Sequence, residues 1–241
     1  MLQVQGLTKY YGDLAAVQDL SFTVEGGEIV GLLGPNGAGK TTTLRCAAGI
    51  LRPDAGAIHL CGHDLETETE AAKRVFAYVP ELPNPYETLT VMEHLRFVVA
   101  AFGVEEQMVH AESLLERLDL LEKQGDLAAT LSKGMRQKLA FACAFLHQPR
   151  VFCFDEPLIG IDPKGARVLK DLLFERRSAG CAVLVSTHML DTAERLCDRA
   201  VIVNKGRVVH EGTVAELHEQ AHMTEDATLE DVFLRLTGGE E

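Results

Sequence analysis

The segment GPNGAGKTT, residues 34–42, constrains this chain more than any other stretch. An apolar strand-like run precedes it and TTTLRCAAG follows as a helix, which is the context that makes G-x-x-x-x-G-K-[ST] a phosphate-binding loop. Gly34, Gly37 and Gly39 let the backbone wrap a phosphate with its N–H groups, and Pro35, Asn36, Ala38 and Thr42 complete the loop. Lys40 brings a mobile positive charge, and the Thr41 hydroxyl is placed for Mg²⁺.

Such a loop needs a further metal carboxylate on a neighbouring strand. VFCFDEP (151–157) supplies one, with four apolar residues ending in Asp155 and then Glu156. Asp155 would hold Mg²⁺ through water. Successive strand residues point to opposite sides, so Glu156 is expected to do something else and suits a base that polarises an attacking water. A turn at the strand end is the plainer reading of Asp-Glu-Pro. A third apolar strand ends in STHML, which puts His188 at the carboxyl edge of the sheet, where nucleotide sites of open α/β sheets lie; a surface histidine is the plainer reading there.

Residues 2–33 alternate and then run apolar, with Glu25-Gly26-Gly27 as a turn between two strand-like segments, and predict an antiparallel start to a sheet. Short apolar strands at 75–80, 151–155, 182–187 and 200–203, separated by helix-length segments, predict a buried parallel sheet. The expected fold is therefore α/β: a P-loop NTPase core with a mostly parallel sheet, an N-terminal antiparallel β-subdomain and an inserted α-helical lobe. Residues 1–87 and 149–220 form the core, 88–148 the helical lobe, and 221–241 a C-terminal docking helix in which Thr228 and Asp231 make a capping-box pattern. A hydrophobic content of 46% is ample for one packed domain. The six cysteines include no C-x-x-C pair and read as reduced core thiols. A net charge of −13 disfavours a nucleic-acid partner. No apolar run approaches the roughly 18 residues of a membrane span, so work at a membrane requires another chain.

Within the helical region, LSKGMRQKLAFACAFLHQP (131–149) opens on Ser132-Lys133-Gly134 ahead of an apolar helix. Ser132 is a plausible N-cap, with Met135 in place of the Glu or Gln of a capping box. A helix N-terminus with a glycine is also a place to put an anion.

Taken together, GPNGAGKTT, LSKGM, VFCFDEP, GIDP (160–163) and STH (186–188), in this order and spacing, resemble the ATP-binding subunit of ATP-binding-cassette (ABC) transporters over nearly the whole chain. The segments 80–95 and 186–198 and the LEDVFLRLTG ending look most like the ABC-2 exporter branch, including Ecs-like ATPases. The resemblance implies an Mg²⁺-dependent ATPase that binds ATP, pairs with a second ABC ATPase subunit as homodimer or heterodimer, and sits on the cytoplasmic face of the membrane through a separate transmembrane permease. It implies that Tyr11, rather than Tyr10, stacks on adenine. Ser132 and Gly134 would contact the γ-phosphate held by the other cassette, Asp162 would lie in the loop that speaks across the dimer, and His188 would sense the γ-phosphate. Two positions depart from the family pattern. Lys133 and Met135 interrupt the usual Leu-Ser-Gly-Gly-Gln, and Glu81 stands where a metal-contacting Gln is common. The competing reading is a soluble cassette ATPase acting on nucleic acid or ribosomes, whose relatives carry two cassettes or a long coiled coil that this chain lacks.

Overall fold

The computed structural model describes residues 1–223 and 227–237. In chain order its strands are β1 (Leu2–Tyr11), β2 (Leu14–Val24), β3 (Ile29–Leu33), β4 (Ala55–Leu60), β5 (His63–Asp64), β6 (Phe76–Val79), β7 (Val151–Asp155), β8 (Ala182–Thr187), β9 (Arg199–Asn204) and β10 (Arg207–Gly212). The α-helices are α1 (Lys40–Ala47), α2 (Thr69–Arg74), α3 (Val91–Phe102), α4 (Ala111–Arg117), α5 (Lys133–Leu146), α6 (Pro163–Ser178), α7 (Leu190–Leu196), α8 (Val214–Gln220) and α9 (Leu229–Thr237).

Two sheets result, ordered β2-β1-β4-β5 and β10-β9-β3-β8-β7-β6. The first is antiparallel throughout. In the second, β9, β3, β8, β7 and β6 run parallel, and β10 adds an antiparallel edge. The Gly26-Gly27 turn is not the hairpin of an antiparallel unit: the chain changes sheets there, and the hairpin lies instead at Gly12-Asp13 between β1 and β2.

Strand periodicity explains why the parallel strands read as continuous apolar runs. Ile29, Phe152, Phe154, Val183 and Val185 face one side, where α3, α5 and α6 pack. Val30, Leu32, Val151, Cys153 and Leu184 face the other, against α1 and the antiparallel sheet. Burial on both faces leaves no position for a polar alternate. The apolar character of α5 has the same origin: Phe145 packs on Phe152 with ring centroids 5.3 Å apart, and Phe141 meets Phe154 edge-on at 5.9 Å.

The helical region is more broken than its sequence pattern predicts. Within the 88–148 lobe, residues 105–123 divide into a 3₁₀ turn at Glu105–His110, α4, and a second 3₁₀ turn at Leu121–Lys123, with Asp119 at φ 61° between the last two. A left-handed residue stops an α-helix by turning its backbone away from the axis. By contrast α3 starts on a complete capping box, with Glu93 N–H donating to Thr90 Oγ1 and Thr90 N–H donating to Glu93 Oε2. In the C-terminal segment, Thr228 and Asp231 cap α9 in the expected reciprocal way, and Leu229 and Val232 are buried among α7, α8 and the sheet edge. Residues 224–226 and 238–241 of that segment lie outside the described residues. The six cysteines are all free, and no helix among the described residues is long and apolar enough to cross a membrane.

Candidate nucleotide site

The parallel strands end along one edge, and the loop from Gly34 to Gly39 leaves β3 there to enter α1. Gly39 sits at φ 101°, and a Cβ on it would come 2.5 Å from the Ala16 carbonyl oxygen. Only glycine brings the loop this close to β2 in that conformation. The Ala38 carbonyl also accepts from Gly206 N–H at 3.1 Å, so the β9–β10 turn braces the loop from the other side. Lys40 is buried and donates to the Gly34 carbonyl at 2.6 Å and the Pro35 carbonyl at 3.1 Å. Burial pulls its pKa below the ordinary lysine value, opposed by the nearby carboxylates of Glu156 and Asp155. A cation partly stripped of water and tied to two carbonyls is primed to exchange them for phosphate oxygens.

Asp155, at the end of β7, is 2% exposed and accepts a hydrogen bond from Ser186 Oγ on the paired position of β8. Ser186 also holds the next residue, its carbonyl accepting from Glu156 N–H at 3.0 Å. Glu156 itself has φ 48°. A left-handed, non-glycine residue costs about 1–3 kcal/mol, a strain that concentrates at functional sites. The strand has ended at Asp155, so simple alternation no longer decides where Glu156 points; the turn sends its side chain into the cleft beside Lys40. There Oε1 lies 2.7 Å from His188 Nδ1, while Oε2 is buried with no hydrogen-bond partner.

The cleft, about 290 Å³, is lined by Tyr11, Pro35, Asn36, Gly37, Ala38, Gly39, Lys40, Thr41, Thr42, Glu81 and Glu156. Gly34 and Asp155 are buried at its sheet edge. Of the two tyrosines, Tyr11 lines the cleft and Tyr10 does not. A larger cavity, about 400 Å³, lies near Cys46, Arg52 and Asp64 and holds none of the motif residues.

Ser132, Gly134 and Asp162 do not line the cleft. Ser132 Oγ accepts from Met135 N–H at 3.3 Å and so caps α5 without a capping box. Asp162 caps α6, accepting from Gly165 N–H at 2.8 Å, and Lys138 Nζ lies 2.9 Å from its other oxygen. The Lys138 partner, together with that N–H, lowers the Asp162 pKa to about 2. Sequence reasoning missed Lys138 and Ser186. Ser186 stood inside the STH motif with no role assigned; Lys138 gave no signal, since a lysine in a helix ordinarily reads as a solvated residue.

Strand, phosphate loop and acidic strand end define the class: a P-loop nucleotide-binding cassette. Residues 17–159 match the family described as ABC transporter. The chain is 40% identical over 239 residues to the ABC-type transporter ATP-binding protein EcsA of Bacillus subtilis, covering 98% of this chain and 96% of that one. It is 36% identical to the SkfA peptide export ATP-binding protein SkfE of the same organism, over 92% of each chain. A solved structure, described as the ATP-binding subunit of an ABC transporter, superposes with a TM-score of 0.94 at 38% identity, covering 98% of this chain and 99% of that one. The chain therefore belongs to the ABC transporter family, as an ATP-binding subunit.

Proposed function

We propose that this subunit binds ATP in the cleft between Tyr11 and the phosphate loop and hydrolyses it to drive a separate exporter permease. Tyr11 is half exposed at the rim and offers a ring face to the base. Backbone N–H groups of 36–42 and the Lys40 ammonium take the phosphates. The donors near Lys40 fit Mg²⁺: the Thr41 hydroxyl and the Asp155 carboxylate, only 2% exposed, are hard oxygen ligands. When bound, the cation neutralises charge on the phosphate oxygens. Glu81 stands at the rim with its carboxylate available to the same region.

The observation that carries hydrolysis is the Glu156–His188 pair. One oxygen is anchored at 2.7 Å and the other is left to polarise water. The remaining predicted residues lie away from this cleft, which supports a role toward the nucleotide of a second cassette. The N-terminus of α5, carrying Ser132 and Gly134, offers N–H groups and the positive end of the helix to a γ-phosphate. Closing a mostly open pair needs about 5.5 kcal/mol, and a few charge-assisted hydrogen bonds of roughly 1.5–3 kcal/mol each supply it. Leu82, Tyr86 and Phe97, all more than half or about half exposed, form the apolar surface next to Glu81 that suits a permease. Export follows the relatives whose names carry it, and location on the cytoplasmic face follows from the permease.

Phosphate release by the purified chain, with Mg²⁺ and with excess chelator, tests the enzymatic part. Affinity purification from membranes tests the partner. Hydrolysis that is indifferent to chelator, or a purified complex without a multi-spanning protein, overturns the corresponding half.

A further inference from the structure

We infer that Lys138 is a positioning residue that fixes the loop from Glu156 to Asp162 against the N-terminus of α5, so that the two nucleotide-facing elements of one subunit move as a unit. This rests on the dimer-closing role proposed above for Ser132 and Gly134. Lys138 is 6% exposed, a degree of burial that a lysine reaches only with a partner. Its Nζ lies 2.9 Å from Asp162 Oδ2, and Asp162 Oδ1 is held by Gly165 N–H at 2.8 Å. The lysine stem runs under the first turn of α6 so closely that a Cβ on Gly165 would meet Lys138 Cε at 2.8 Å.

One turn before Lys138 on the same face of α5 is Gly134, where a Cβ would come 3.1 Å from the Gly160 carbonyl oxygen. The side chain of Lys133 passes along Gly160 as well. Three residues of α5 thus grip both ends of the Gly160–Asp162 segment, and Lys138 does so through an ion pair. The loop begins at Glu156, which serves the subunit's own nucleotide, and the helix mouth begins at Ser132, which serves the other one. Lys138 is the ion-paired link between them. Both carboxylate oxygens of Asp162 are engaged inside its own subunit, so its first task is to receive this link.

The test uses the full chain carrying Glu156→Gln, in which ATP-driven dimerisation is followed by light scattering. Adding Lys138→Met, which keeps the stem and removes the charge, weakens the ATP-bound dimer about tenfold, while the ATP affinity of the isolated subunit stays at the parent value. Lys138→Arg restores dimerisation. If the Lys138→Met chain dimerises like its parent, or loses ATP affinity together with dimerisation, the inference is overturned. If Glu156→Gln alone binds ATP but does not dimerise, the closure reading fails and the inference fails with it, which separates the two.

Discussion

His188 Nδ1 lies 2.7 Å from Glu156 Oε1, and both follow strands that are paired in the sheet, β8 and β7. The contact distinguishes the two oxygens of one carboxylate. Oε1 is engaged by the imidazole, whereas Oε2 is buried without a partner; under the proposed function Oε2 is the oxygen that polarises water. Glu156→Gln keeps the size of the side chain and leaves Asp155 and Thr41 unchanged. Its turnover should fall by about 10²–10⁴, while ATP binding measured by calorimetry is retained. Turnover within a fewfold of the parent removes Glu156 as the base.

His188→Ala tests the orienting half of that pair. The histidine side chain is 47% exposed, so its loss should leave the melting temperature unchanged. Releasing the carboxylate should lower single-turnover hydrolysis by roughly 10²-fold, the cost of a small misplacement at a reacting centre. His188→Gln, whose amide N–H still donates, should recover part of the loss. Equal activity in all three chains means that the 2.7 Å contact has no part in turnover.

The phosphate loop was legible in sequence because its residues are contiguous and each has a local reason to be there. The parallel strands were legible because two-sided burial writes an uninterrupted apolar run. What escaped was set by contacts between distant segments. Nothing near Gly26-Gly27 says that β2 and β3 belong to different sheets. Alternation predicted that Glu156 would turn away from Asp155, but its φ of 48° breaks the strand and brings both carboxylates near Lys40. The ion pair between Lys138 and Asp162 joins residues 24 positions apart; neither side of it is unusual until α5 and α6 are packed together.

Lys40→Met separates binding from folding. The ammonium donates to loop carbonyls at 2.6 and 3.1 Å and burial lowers its pKa, so replacing it with an apolar side chain of similar length should change the melting temperature little. Phosphate binding loses one or two charge-assisted hydrogen bonds at about 1.5–3 kcal/mol each, an affinity loss of roughly tenfold or more. An unchanged calorimetric titration with ATP refutes the phosphate-loop assignment.

A pH effect is expected from His147, at the C-terminus of α5. Its ring stacks on Phe102 with centroids 4.0 Å apart, and its nitrogens face the Cys143 and Phe76 carbonyls at 3.1 and 3.3 Å. Burial lowers its pKa below the ordinary 6.5 despite those two carbonyls. The unfolded chain therefore takes up the proton first as pH falls, and its uptake favours unfolding. His147 should cost the protein no stability above pH 6.5, and a growing amount as pH falls from 6.5 toward the folded-state value. Denaturation midpoints of the parent and of His147→Gln should diverge over that window and run parallel above it. Parallel curves throughout refute the assignment.

Ser132→Arg tests the division of the site between two subunits. Ser132 lies outside the cleft, and its hydroxyl accepts from Met135 N–H at 3.3 Å within its own helix. Losing that cap costs about 1 kcal/mol, and an arginine at the N-terminus of α5 adds a charge of the wrong sign for the helix dipole. ATP binding to the isolated subunit should nonetheless remain at the parent level, because no residue of the cleft is altered. Turnover should be abolished, since the arginine occupies the surface offered to the other cassette. Mixing this chain with Lys40→Ala is the sharper measurement. In a mixed pair, one composite site combines the intact phosphate loop of the Ser132→Arg subunit with the intact α5 mouth of the Lys40→Ala subunit, and the other combines both defects. Hydrolysis should reappear in the mixture although each variant alone is inactive. If mixed dimers form and remain silent, then a single repaired site is not enough for turnover, and the independence of the two sites assumed in the proposal is wrong.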